Sequence, residues 1–156
     1  MQIITFVISL LAFIMSSILF VTKIYDRFMT PIIEITDIYP AGDIFYIKIS
    51  VLNRSSSPIA VTHVLLQNHE ATSYPHMMLK SGEHKVFGDP IPSNIPQKSI
   101  IQFLIAIPID TQELEELLKK EKFILNVTTS MGKQHVITEI DKKLRTLDQL
   151  VKEQIQ

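Results

Sequence analysis

No charged side chain occurs between Met1 and Thr22, and Lys23 and Arg27 come almost at once after it. Residues 3–22 read IITFVISLLAFIMSSILFVT, interrupted only by Thr5, Ser9, Ser16, Ser17 and Thr22. A helix rises about 1.5 Å per residue, so a segment of this length covers roughly 30 Å, the hydrocarbon thickness of a bilayer. Serine and threonine hydroxyls can bond back to their own helix, which keeps the segment compatible with lipid. The expectation is a single-pass transmembrane anchor over residues 1–24, touching the bilayer through residues 3–22.

A cleaved signal peptide is the competing reading. It needs a basic leader, a shorter apolar core and a small-x-small cleavage site. Here no Lys or Arg precedes the span, and its exit reads Leu19-Phe20-Val21-Thr22-Lys23-Ile24. An uncleaved anchor is therefore expected. Lys23 and Arg27 flank the C-terminal side alone, so the positive-inside rule places the large domain in the cytoplasm. Tyr25 and Phe28 suit the headgroup level, or else they begin the folded domain. Within the span, Ala12 and Ser16 form a small-xxx-small pair, preceded by Ser9. Lipid exposure is the expectation there, and pairing of two such helices into a homo-oligomer is the alternative.

The hydrophobic content of 46% and mean hydropathy of +0.23 are inflated by this segment. The remainder of the chain, Pro31 to Gln156, is long enough for one domain with a real core and too short for two. Net charge is −1, from 15 basic and 16 acidic side chains that are well mixed, so no long-range field recruits nucleic acid. Cysteine is absent, which excludes disulfides and thiolate metal sites. Asn53-Arg54-Ser55 and Asn126-Val127-Thr128 match the glycosylation triplet, which matters only in a eukaryotic secretory lumen.

Beyond a juxtamembrane linker at 25–31, the pattern changes to period two. Ile33 and Ile35 alternate with Glu34 and Thr36 before the turn cluster Pro40-Ala41-Gly42-Asp43. Phe45, Ile47, Ile49 and Val51 point one way and Tyr46, Lys48 and Ser50 the other, which predicts a half-buried antiparallel strand. Asn53 to Pro58 reads as a loop. Ile59 to Gln67 reads as a strand whose phase slips near His63, predicting a bulge or burial on both faces. Asn68 to Gln97 holds Pro75, Pro90, Pro92 and Pro96 and reads as edge strands joined by loops, with apolar pieces at Met77 to Leu79 and at Val86-Phe87. Ile101, Phe103, Ile105 and Ile107 share one strand face. Asp110 to Lys120 is a short helix with Leu114, Leu117 and Leu118 in a stripe and an Asp110/Glu113 capping-box pair. Phe123 to Val127 and Val136 to Ile140 form a hairpin around Ser130-Met131-Gly132-Lys133. From Asp141 a final amphipathic helix carries Leu144, Leu147, Val151 and Ile155.

These elements define a mainly β chain: an N-terminal transmembrane helix, then an immunoglobulin-like antiparallel β-sandwich over 32–140 with a short inserted helix, then a C-terminal amphipathic helix over 141–156. The last helix folds onto the sandwich, frays, pairs as a short coiled coil, binds a partner groove or lies on anionic lipid; the sequence leaves these open. The charge-free span, the strand end Val51-Leu52-Asn53-Arg54-Ser55 and the restart Pro58-Ile59-Ala60-Val61 resemble small, uncharacterised single-pass membrane proteins of Gram-positive bacteria and their prophages. The resemblance covers residues 51–61 and the layout, and it implies no catalytic residue.

Chemistry-bearing patterns are sparse. His69, His76 and His84 lie near Glu70, Glu83 and Asp89, but their spacings match no compact ligand pattern, and no metal site is expected. His63 is expected to be partly buried on its strand, and His135 to lie on a hairpin surface. Ser55, Ser56 and Ser57 read as a hydrophilic loop without a nucleophile elbow. Glu113, Glu115 and Glu116 read as a solvated helix face. Four glycines cannot build a phosphate-cradling loop. No catalytic or metal residue and no cofactor is therefore expected. The expected function is a non-enzymatic module that binds a protein partner at the membrane surface; the alternative is a structural subunit of a membrane or envelope assembly, dimerising through its transmembrane helix.

Overall fold

The computed structural model describes residues 2–67, 69–73, 76–78, 85–87 and 89–155. A long helix, α1 (Gln2–Arg27), leads into strands β1 (Ile32–Ala41), β2 (Ile44–Leu52), β3 (Ile59–Leu66), β4 (His69–Glu70), β5 (His76–Met78), β6 (Lys85–Phe87), β7 (Ser93–Ile95) and β8 (Ile100–Pro108). Helix α2 (Thr111–Leu118), strands β9 (Lys122–Thr129) and β10 (Gly132–Glu139) and helix α3 (Leu147–Ile155) complete the chain.

Helix α1 is long and apolar enough to cross a membrane, with a mean hydropathy of 2.6, and 0% of its most apolar window is buried. It runs through Arg27, and the Phe28 N–H closes its last turn on the Ile24 and Tyr25 carbonyls at 3.3 and 3.2 Å. The first residues of the expected 25–31 linker are thus helical. Pro31, which has no N–H to donate, stands just before β1.

The body is built from antiparallel sheets. One has the order β1-β2-β8, with Ile47 opposite both Ile38 and Ile105. Its first hairpin turns through Gly42 and Asp43, and Gly42 takes a positive φ of 62° as tight hairpins require. The second sheet has the order β10-β9-β3-β4, with β7 also on β3. The β3–β9 register shifts between Val61 and His63, which is the bulge expected from the phase slip. Strands β5 and β6 pair with each other.

The two larger sheets share one apolar core. Phe45, Ile47, Ile49, Phe103, Ile105 and Ile107 from the first meet Val61, Val64, Leu66, Phe123, Leu125 and Val127 from the second. The Phe45 and Phe123 rings touch edge to face across the core, with centroids 6.0 Å apart. Leu114 and Leu117 of α2 add to this cluster. Asp110 caps α2 by accepting from Thr111 N at 2.8 Å, but the expected capping box does not form. Glu113 instead faces His69 Nε2 at 3.0 Å, so its carboxylate is drawn to the histidine rather than back to the helix start.

Both edges of the first sheet are occupied by chain outside the main strands. The Ile38 N–H donates to the Lys143 carbonyl at 2.9 Å, and the Arg145 N–H donates to the Ile38 carbonyl at 2.8 Å. On the far side, Thr72 and Ala106 exchange two backbone bonds of 2.8 and 2.7 Å. This explains why the final helix begins at Leu147 and not at Asp141. Residues 143–145 give their backbone groups to the β1 edge, so they cannot also form a helical ladder. Leu144 accordingly packs on the main core rather than on the helix stripe.

A second apolar cluster lies on the other face of the first sheet, where Leu150 of α3 covers Tyr39, Tyr46 and Leu104. Tyr46 therefore does not share the solvated face expected from strand alternation. Helix α3 folds onto its own body, and Lys48 Nζ holds Glu153 Oε2 at 3.0 Å across that contact. The Tyr39 hydroxyl is buried with no hydrogen bond of ordinary geometry among the described residues. Burial first, then the charges of Asp37 and Glu153, push its pKa well above the usual 10.0. The folded state thus prefers the neutral phenol, so its contribution is intact below the ordinary value and falls as pH climbs past it. Tyr39→Phe is expected to leave the melting temperature at neutral pH unchanged or raised, because it removes an unpaired buried hydroxyl. It should also flatten the loss of stability above pH 10.0; thermal melts across an alkaline pH series check both outcomes.

Candidate functional site

The densest polar arrangement among the described residues lies where α1 meets the body. Asn53, just past the end of β2, is fully buried, although Arg54 beside it is exposed. Its Nδ2 donates to the carbonyls of Ser57 at 2.8 Å, Pro96 at 2.9 Å and Ile95 at 3.3 Å. Its Oδ1 accepts from the Ser55 N–H at 3.0 Å, an Asx turn, and lies 2.9 Å from the Ser55 hydroxyl. Its own N–H donates to the Ser99 carbonyl at 2.8 Å. One amide therefore joins the crossover between the two sheets to the turn that leads into β8.

That turn reaches back to the helix. Lys98 takes a positive φ of 52°, and its Nζ pairs with the Asp26 carboxylate while donating to the Arg54 carbonyl at 2.7 Å. The Ser56 N–H donates to the Asp26 carbonyl at 3.3 Å. The last turn of α1, the 53–57 loop and the 96–99 turn are thus tied together by side-chain and backbone bonds. Gln134 Nε2 of β10 adds a bond to the Pro31 carbonyl at 3.2 Å.

The serine triplet is not simply a hydrophilic loop. Ser55 is fully buried, and its hydroxyl serves the Asn53 turn. Asn53 itself cannot accept a glycan in the folded chain, because its amide nitrogen is buried and already donating. The sequence signal available for this was the Asn-x-Ser spacing, which closes Asx turns as well as marking glycosylation.

The histidines separate into different places. His63 is exposed rather than partly buried, with Nδ1 3.3 Å from Glu70 Oε1. The bulge beside it turns the ring away from the core. His69 faces Glu113, and His135 faces Asn126 across the β9–β10 hairpin. His76 has its backbone in β5, while its side chain, His84 and Glu83 lie outside the described residues. Among the described residues no group of three or more His, Asp or Glu side chains is placed to hold a metal ion.

A shallow cleft between β3 and the 70–73 segment is lined by Thr62, His63, Glu70, Thr72 and Ser73, the nearest approach to a catalytic grouping. Its buried serine, Ser73, directs its hydroxyl to the Leu104 carbonyl at 2.9 Å and the Asp89 carbonyl at 2.7 Å, not to His63. A nucleophile needs the base within hydrogen-bond reach, and this arrangement does not supply that.

Neither a model of a known protein family nor a curated protein matches this chain.

Asn53→Ala would remove the amide donor shared by the carbonyls of Ser57, Ile95 and Pro96, although Ser57 keeps a bond from the Ser55 hydroxyl at 2.6 Å and Pro96 one from the Ser99 hydroxyl at 2.7 Å. A loss of about 1–3 kcal/mol is expected from the buried side-chain bonds that go with the amide. Asn53→Asp should be worse, since it turns a carboxylate oxygen toward carbonyls. Chemical denaturation of the two variants measures the order, and equal stability to wild type would contradict it.

Proposed function

We propose that the protein is a membrane-anchored, non-enzymatic module whose body is an immunoglobulin-like β-sandwich and which binds a protein partner at the bilayer surface. Helix α1 is the anchor, and Lys23 and Arg27 keep the body on the cytoplasmic side. The observation that carries the binding role is an asymmetry of edges. Each outer edge of the β1-β2-β8 sheet is bridged by the chain's own segments at one position, Ile38 on β1 and Ala106 on β8, whereas among the described residues no strand pairs with the outer edge of β10. An open strand edge is a template for another chain unless it is blocked.

The surface beside that edge fits the same role. Ile137 on β10 is 64% exposed and stands directly opposite Ile124 on β9, itself 48% exposed. An extended partner segment would add a strand to β10 through main-chain bonds and place an alternate side chain against this isoleucine pair. Tethering the body to a bilayer raises the effective concentration of partners held on the same surface.

The test is a photo-crosslinking residue at position 137 of the full chain in its native membrane. A discrete adduct is expected, and Ile124→Lys should abolish it while leaving the fold intact by circular dichroism. The same residue at position 116, on the exposed side of α2, should give no adduct. Equal adducts at both positions, or none at 137, would contradict the assignment. Sidedness is read separately from protease protection of a C-terminal tag in intact cells, where protection is expected.

A further inference from the structure

We propose that the cleft between the last turns of α1 and the 55–57 loop binds the phosphate of an anionic phospholipid in the leaflet next to the body. The site rests on the membrane-anchor reading of α1 and adds a ligand to it. The cleft has a volume of about 430 Å³ and is lined by Phe20, Lys23, Ile24, Arg27, Ser56 and Ser57. Its size falls within the range of small-molecule sites, about 300–1,000 Å³.

One wall arises from helical periodicity. Phe20, Lys23, Ile24 and Arg27 are spaced three and four residues apart, so they form a single stripe down the helix. The stripe changes chemistry along its length. Phe20 is an exposed apolar side chain on the bilayer side of both cations, exposed Ile24 lies between them, and Lys23 and Arg27 are the first cations after a charge-free span. The charge-free span ending in Phe20, followed by the two cations, matches a phospholipid with acyl chains deep and an anionic phosphate at the interface. Lysine and arginine near a helix end extend toward that layer.

The second wall is built by the body. Ser56 and Ser57 belong to the loop that the buried Asn53 and Ser55 hold in place, so their position does not depend on the ligand. The Ser56 N–H bond to the Asp26 carbonyl and the Asp26–Lys98 pair tie this wall to the helix. Those same bonds leave the two cations available. Asp26 lies between Lys23 and Arg27 in sequence but pairs with Lys98, and neither Lys23 nor Arg27 has an ion pair among the described residues.

Two unneutralised cations facing neutral serines select an anion, and arginine can grip a phosphate through two parallel donors. Another charged cleft of the body differs in kind. Around Glu121, Lys122, Glu139, Asp141 and Lys142 the charges are mixed, and Lys142 pairs with Glu139. Of these two clefts, only the one at the helix exit combines unpaired cations with an apolar stripe leading into the bilayer.

The experiment uses the full chain in detergent micelles, with lipid adducts followed by native mass spectrometry. Phosphatidylglycerol should be retained in preference to phosphatidylcholine. Lys23→Gln and Arg27→Gln should each weaken retention by about fivefold, the scale expected for one basic residue at an anionic surface. Lys133→Gln, on β10 outside the cleft, should leave retention unchanged. Equal retention of both lipids, or indifference to the Lys23 and Arg27 changes, would overturn the site. Displacement of phosphatidylglycerol by equimolar inorganic phosphate would overturn the lipid assignment in favour of a soluble phosphate ligand. Alkaline carbonate extraction of membranes separates the premises. A chain that washes off defeats the anchor itself, whereas one that stays but shows no lipid preference defeats the cleft alone.

Discussion

The buried amide of Asn53 is the interaction on which the end of the molecule nearest the helix depends. Three carbonyls, from Ser57, Ile95 and Pro96, converge on one fully buried side chain. The two N–H bonds of the amide are shared among all three, and the Ser57 and Pro96 carbonyls accept from the Ser55 and Ser99 hydroxyls as well. That amide adds a buried fixed point to the backbone bonds, from the Asn53 N–H to the Ser99 carbonyl and from the Lys98 N–H to the Ser55 carbonyl, that join the crossover between the two sheets to the turn before β8. With it, Ser55 is drawn inside, Ser56 and Ser57 are set outward, and Lys98 is placed where it reaches Asp26. The helix exit and the sheet crossover therefore act as one structural unit, although they are far apart along the chain.

Much of the fold was legible because the strands are short and strongly alternating. The run from Phe45 to Val51 and the run from Ile101 to Ile107 sit side by side in one sheet with their apolar residues inward, as period two demands. The bulge near His63 was also legible, since one extra residue in a strand shifts the phase of everything after it. The differences arise where backbone pairing or tertiary cover outweighs local pattern. Lys143 to Arg145 could have been helical by propensity, but the open edge of β1 takes their backbone groups. Tyr46 looked solvated because alternation cannot reveal a helix arriving from the far end of the chain. Glu113 looked like a capping partner because His69, far earlier in the chain, is invisible to a local reading.

The candidate site was legible only in part, for the same reason. Lys23 and Arg27 stood out in the sequence as orientation signals, and the apolar stripe above them as an anchor. The serine triplet stood out as a loop. Nothing in the sequence says that these features face each other, because the contact between residues near 26 and residues near 56 and 98 exists only in the folded chain. The Asn-Arg-Ser spacing carried a usable hint, since an asparagine two residues before a serine closes an Asx turn as readily as it marks a glycan. What distinguished the two was burial, a property of the fold and not of the triplet.

A tethered body can be attached through a loose linker or through a bonded junction, and the two have different consequences for recognition. A loose linker lets the body sample many orientations, so a weak partner surface gains concentration but no direction. Here the segment between α1 and β1 is only four residues, and it is flanked by the Asp26–Lys98 pair on one side and the Gln134–Pro31 bond on the other. The second of these bonds comes from β10, the strand whose outer edge is open. The proposed partner surface is thus coupled to the proposed anchor by chain that has little freedom to swing. Under the proposed function, an edge strand held in this way would present its main-chain groups at a defined angle to the bilayer, which would favour partners that are themselves fixed in that plane over soluble peptides of the same sequence.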